Sequence, residues 1–282
     1  MNPPPLHSRP CAQLPKPPLK PRHVVDLILW GAAAAALILL SVPIAALILR
    51  GMMGRGWEGQ SGAMVATAVT LSLFTTTLTS LIVVGVGTPL AYLLARRRFP
   101  LRGAVLLLVE LPVVLPPAVA GIALLLAFGR RGMLGGILST FGISLPFTTA
   151  AVVVAQTFVA MPFYVRAAMV GFSGISPEVE DAGRVDGAAG WTLFRHVTLP
   201  LAARALGAGF SLSWARSMGE FGATILFAGN FAGRTQTLSL LVYSAFEQDL
   251  DAAVWAGVIL VGLAVAALIV SRALAGREIS TD

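Results

Sequence analysis

The sequence predicts an all-α integral membrane protein with six transmembrane helices and a polar helical insert outside the membrane. Three observations carry that expectation. Of the 282 residues, 56% are hydrophobic and only 12% charged, about half the charge of an ordinary soluble domain, and mean hydropathy is +0.83. Six apolar stretches are each long enough to cross a hydrocarbon core of about 30 Å at about 1.5 Å rise per residue. Finally, EDAGRVDGAAGWTLFRHVTLPLAARAL, residues 180–206, is charged and helix-forming in otherwise greasy surroundings. Such an insert must dock on something outside the bilayer.

The elements follow in chain order. Residues 1–22 form a proline-rich tail with Pro3, Pro4, Pro5, Pro10, Pro15, Pro17, Pro18 and Pro21. A tail of this composition cannot bury enough surface to fold, so disorder is expected. The single cysteine, Cys11, lies in it. One cysteine forms no internal disulfide, and no metal-ligand spacing exists, so neither metal nor cofactor is expected. The membrane domain spans 23–275, with a short tail at 276–282. Its apolar segments run roughly 24–49, 64–95, 104–128, 147–172, 205–228 and 252–274. The first is too long for the core of a signal peptide and is read as an uncleaved span. The second is long enough to tilt or project. The third contains Pro112, Pro116 and Pro117, which remove backbone hydrogen bonds and should break or kink it. The strings GILSTFGISLPF and GNFAGRTQTLSLLVYSAFEQ are too short or too polar to cross and suit surface or re-entrant structure.

Basic residues set the orientation. Of the 20, 13 fall on the side of the N-terminus, including Arg96, Arg97 and Arg98. Five fall opposite (Arg50, Arg55, Arg130, Arg131, Arg234), while Arg166 and Arg216 lie near or within spans. Both termini and the 173–204 loop are therefore expected inside. The net charge of +7 reflects these topology-setting clusters, not a nucleic-acid partner.

Charged residues inside spans cost about 2.5–3.5 kcal/mol each on insertion scales and usually face the bundle interior. Arg216 and Glu220 are four apart, share a helix face and can pair. They either line the path or the subunit interface, switching partners during gating, or lock span five as a structural ion pair. Glu110 either takes a hydrogen bond from a neighbour or sits near the interface. Glu110, Arg216 and Glu220 are thus the translocation and gating candidates. Gln156, Thr157, Met161 and Pro162 are further candidates in span four, Met161 also fitting simple packing. Span five is dense in small residues (Gly207, Gly209, Ser211, Ser213, Ser217, Gly219, Gly222), which suit close helix approach within one chain or between two. His196 is assigned no chemistry.

Within the insert, Ser176-Pro177-Glu178 is a helix start, and Gly187 can close that helix in the left-handed conformation. A second short helix is expected at roughly 189–197, ahead of Pro200. Trp191 and Phe194 share a face and either dock on a partner or pack against the ends of the spans.

Asp181-Ala182-Gly183, then Gly187, Val197, Leu199 and Pro200, resemble the EAA loop of ATP-binding-cassette (ABC) importer permeases, EAA-x3-G-x9-I-x-LP. The glycine-to-LP spacing matches in full. Aspartate replaces glutamate, Gly183 the second alanine and Val197 the isoleucine, with Gly183 expected to loosen its helix by about 0.5–1 kcal/mol. The resemblance implies the type I importer permease fold. It also implies a coupling helix seated in a groove of a separate cytoplasmic ATPase subunit, with contacts from Gly187 to Phe194 and with Trp191 and Phe194 as apolar anchors. The chain itself has no GxxxxGK[ST] loop, so ATP hydrolysis falls to that partner and the chain is not read as an enzyme.

The resemblance extends over most of 60–275. ELPVVLPPAVAGIALLLAFGRRG (110–132) and WARSMGEFGATILFAGNFAGRTQTLSLLVY (214–243) look like parts of molybdate permeases, and sulfate permeases share much of this. It implies molybdate import across a bacterial cytoplasmic membrane by a homodimer fed by an extracytoplasmic molybdate-binding protein. The RSMGEFGA string gives Arg216 and Glu220 a gating role by the same resemblance. Arg130, Arg131 and Arg234 are the outer-face docking candidates; each could equally be solvated. Sulfate, thiosulfate or tungstate as cargo, and an ATP-independent secondary transporter, are the alternatives.

Overall fold

The computed structural model describes residues 22–54 and 60–276. The proline-rich tail with Cys11, the segment around Arg55 and the last six residues lie outside the described residues. The chain divides into two compact units, one ending at Ala46 and the other starting at Leu47. The first is the leading part of helix α1 (Arg22–Met53), exposed along its side chains from Val25 onward.

Among its described residues the second unit consists of helices and the turns that join them, without a strand. Its helices are α2 (Gln60–Arg96), α3 (Arg102–Val114), α4 (Pro117–Phe128), α5 (Gly135–Thr140), α6 (Thr149–Ser173), α7 (Pro177–Val185), α8 (Trp191–Leu193), α9 (Leu199–Met218), α10 (Gly222–Ala228), α11 (Leu238–Phe246) and α12 (Leu250–Gly276). Among the described residues, four helices are long and apolar enough to cross a membrane: Val25–Met53, Gly62–Arg96, Thr149–Ser173 and Leu250–Ile269. The expected third and fifth spans are each two helices in succession.

The break in the third span was legible. Leu115 precedes Pro116, and Pro116 precedes Pro117; a residue before proline is pushed out of the α region. Both are extended, with ψ of 133° and 134°, and Pro117 then opens α4 where a missing N–H costs nothing. The fifth span departs from expectation. It is not one helix over 205–228: α9 begins at Leu199 and ends at Met218, and α10 starts after Gly219, Glu220 and Phe221. The segment 238–246 is a short helix with Leu238, Leu240 and Leu241 buried, as a re-entrant element would be.

Helix α6 is the centre of the unit. Its residues Ala160, Tyr164, Val165, Ala168 and Phe172 pack with Val83, Ala91 and Leu94 of α2 and Ala202 of α9. Nearer its start, Ala151, Val152, Ala155 and Val159 pack with Ala120 and Leu124 of α4 and Ala223 and Phe227 of α10. Lipid offers no hydrophobic force between such helices, so close packing of small residues and hydrogen bonds must hold them. A Cβ at Gly209 would stand 2.9 Å from that of Ala167, and one at Gly222 would stand 2.6 Å from that of Pro117. These small residues of span five therefore serve packing within the chain, whereas Gly207 faces open space.

Candidate functional site

The loop following α6 is built on Glu180. Pro177 occupies the first turn of α7, with Ser176 at the N-cap, although the serine side chain makes no capping bond. One turn in, Glu180 is buried, and its Oε1 accepts hydrogen bonds from Arg96 at 2.9 Å and from the Thr198 hydroxyl at 3.1 Å. Arg184 approaches the other carboxylate oxygen at 3.7 Å. The carboxylate thus ties α7 to the end of α2 and to the turn that leads into α9. Sequence reasoning passed over Glu180 in favour of its neighbour Asp181, which is exposed and pairs with Arg184. The available signal was the i,i+4 spacing of Glu180 and Arg184. Ala182 is exposed as well.

Gly183 also has a different role from the one expected. A Cβ there would meet Leu193 at 3.0 Å and Val197 at 3.3 Å, so the glycine admits the returning chain against α7. The helix closes as foreseen. Asp186 N–H donates to Ala182 and Ala188 N–H to the Gly183 carbonyl, with Gly187 at φ 90°. Gly190 is a second positive-φ residue, at 54°, which the motif did not point to.

The chain then re-enters a helix that does not stop ahead of Pro200. Trp191–Leu193 continues through a π-helical turn, Phe194–Thr198, directly into α9, with Leu199 N–H donating to the Phe194 carbonyl five residues back. The separate helix expected at 189–197 is thus the start of span five. A proline ring clashes with the carbonyl four residues before it, and a widened π turn just ahead of Pro200 relieves that clash. Leu199 is half-buried and Pro200 exposed.

The structure separates the two aromatics. Phe194, expected as a docking anchor, turns inward: its ring lies 5.1 Å from Tyr92 and 6.3 Å from Phe172. Phe194 is half-buried there, and its neighbours Leu193 and Thr198 are buried. Trp191 stacks on Phe194 at 5.5 Å, yet remains 69% exposed. The loop therefore presents one exposed aromatic side chain, Trp191, on a base fixed from beneath.

Within the bundle, Arg216 and Glu220 pair at 2.7 Å as their spacing predicted, with Glu220 fully buried. The same carboxylate accepts the Ala223 N–H at 2.8 Å, satisfying a free amide at the start of α10. The Glu220 carbonyl accepts the Ser239 hydroxyl at 2.6 Å. Gln156 donates to the Ser217 carbonyl and accepts from Thr79. This polar core fastens the break in span five to α2, α6 and α11. Glu110 takes two hydrogen bonds from Arg166, at 3.1 and 2.9 Å, so it has a neighbour on α6. Thr157, Met161 and Pro162 line an apolar cavity of about 490 Å³ between α3, α4 and α6.

At the opposite end of α6, Arg130, Arg131 and Arg234 are all exposed. Arg130 donates to Ser144 at 3.4 Å, and the Arg234 carbonyl accepts from Thr149 at 2.8 Å. The loop after α5, which holds Ser144, meets the loop carrying Arg234 where Phe147, at φ 64°, packs edge-on against Phe231. No group of three or more His, Cys, Asp or Glu fit for a metal occurs among the described residues.

Comparison with known proteins identifies the architecture. Over 259 residues the chain is 41% identical to the molybdenum transport system permease protein ModB of Mycobacterium tuberculosis, covering 91% of this chain and 97% of that one. It is 35% identical over 214 residues to the sulfate transport system permease protein CysT of Escherichia coli, covering 75% and 77% respectively. A solved bacterial alginate ABC transporter, in complex with its alginate-bound periplasmic protein, contains a chain of the same fold. Its TM-score is 0.72 at 17% identity, over 92% of this chain and 96% of that one. Residues 87–280 match the family described as the binding-protein-dependent transport system inner membrane component. That match takes in the break in span five and the Glu180 loop, and this chain belongs to that family.

Proposed function

We propose that the chain is the membrane-spanning subunit of an ATP-driven importer, carrying molybdate across the cytoplasmic membrane. In this reading both termini and the 177–198 loop face the cytosol. Two copies enclose the path, a separate ATPase subunit seats Trp191, and a binding protein delivers the anion near Arg130, Arg131 and Arg234. The ATPase performs the hydrolysis; the chain converts its closure into a change of access by favouring one of two states.

The observation that carries this reading is the 177–198 loop. An exposed tryptophan stands on a base locked by Glu180, in a chain related to a molybdenum permease along most of its length. Such a rigid projection transmits force, whereas a solvated loop would not. A molybdate dianion cannot enter hydrocarbon unaided, and the arginines at one end of α6 suit its charge. Sulfate is the second reading, supported by the likeness to a sulfate permease.

The test is uptake into proteoliposomes holding this chain, its ATPase and its binding protein, read by elemental analysis. ATP-dependent molybdenum uptake that sulfate fails to suppress at equal concentration supports the proposal. Suppression by sulfate shifts the cargo to the second reading, and uptake that continues without nucleotide overturns the ATP-driven mechanism.

A further inference from the structure

We propose that Arg166 is a contact for the oxyanion at membrane depth, its charge balanced by Glu110 until the anion displaces that carboxylate. The inference rests on the oxyanion reading above and adds to it a residue that neither the EAA loop nor the span-five pair includes.

Depth is the first argument. Arg166 lies seven residues before the end of α6 at Ser173, and Glu110 eight residues beyond the start of α3 at Arg102. At about 1.5 Å per residue, both sit roughly 10–12 Å inside the helix ends. Charges at such depth rarely face lipid and mark ion paths, cavities or partner surfaces. Yet this pair is open, with side chains 57% and 31% exposed. Its surroundings are apolar: Leu107 and Leu108 are each 67% exposed and Val170 72%. An open ion pair on a greasy face fits a surface that closes over a water-filled path, not one bathed in hydrocarbon.

The second argument is the form of the pair. Arg166 directs both Nε and Nη2 to the same oxygen, Glu110 Oε1. The two-oxygen fork that best satisfies a guanidinium is therefore unused. A tetrahedral oxyanion offers two oxygens to the same two donors, so it can replace Glu110 with better geometry and no new charge on the arginine. Release is the reverse exchange. One arginine with a returning counter-charge holds the anion long enough to pass without trapping it, as conduction requires.

The Arg216–Glu220 pair is built differently. Glu220 is 1% exposed and also holds the Ala223 amide, so it cannot leave without undoing the start of α10. Glu110, by contrast, stands on α3, which has no buried residue and ends at the Leu115–Pro116 break. A small tilt of α3 about that break would separate Glu110 from Arg166.

The test uses the full complex in proteoliposomes, with copurification of the ATPase subunit as the check on folding. R166Q is expected to lower kcat/KM for molybdate uptake at least tenfold. R166K, which keeps the charge but not the fork, should raise KM several-fold and retain turnover. The double variant E110Q/R166Q removes both charges together, so neither is left without its partner, and should assemble but stay at least tenfold impaired. Recovery of uptake in the double variant would reduce the pair to a structural tie and overturn the proposal. R166Q transporting like the parent would overturn it as well. A parent complex inert toward every oxyanion would instead bring down the cargo reading on which the inference stands.

Discussion

Glu220 holds two partners at once, the Arg216 guanidinium at 2.7 Å and the Ala223 amide at 2.8 Å. Replacing it with glutamine keeps an acceptor for the amide and removes only the charge. Breaking a buried pair from one side costs about 3–5 kcal/mol, so E220Q should lower the thermal midpoint of the complex and change its transport or basal ATPase rate. An unaltered midpoint with unaltered activity would show that the pair does nothing. Gly187 makes a different demand. At φ 90° with nothing within 4 Å of a built Cβ, only its backbone conformation restricts it. A β-branched residue in such a conformation costs about 1–2 kcal/mol or more, so G187V should reach the membrane normally, measured by its level there, yet fail in transport. The pairing of Arg216 and Glu220 was legible from spacing alone, and so was the left-handed Gly187. Glu180 was not, because its importance comes from Arg96 and Thr198, which the fold brings from elsewhere in the chain.

Among the elements, the loop 177–198 depends on one buried acid. R96Q would leave Glu180 without its nearest cation, at a cost of about 3–5 kcal/mol if no other group takes its place. Arg184, at 3.7 Å, can recover part of this. Hydrogen exchange should therefore accelerate across 177–198 in R96Q while remaining slow in α6; equal protection in both proteins would detach the loop from α2. The breaks in the third and fifth spans show why local sequence reveals some features and hides others. Consecutive prolines dictate the first break through their immediate neighbours. The second is set by a tertiary polar core (Gln156 on the Ser217 carbonyl, Ser239 on the Glu220 carbonyl), whose partners are far apart in sequence. The continuation of the expected Trp191 helix into span five was hidden for a related reason. Pro200 reads as a boundary, and only the π turn ahead of it lets the helix continue.

At the scale of the whole molecule, the apolar segments and the polar insert made the membrane class and helical fold legible. The family followed from the spacing between Gly187 and Pro200. The division of labour between the aromatics did not, since two residues three apart share a face whether that face turns inward or outward. The structure turns Phe194 onto Tyr92 and leaves Trp191 outside. That asymmetry makes the account testable at a single position. A photo-reactive amino acid placed at 191 in the assembled complex should cross-link to the ATPase subunit, whereas the same probe at 194 should cross-link within the chain, near Tyr92 and Phe172. Capture of lipid or of this chain alone from position 191 would contradict the docking of the loop on the ATPase, and with it the ATP-driven mechanism.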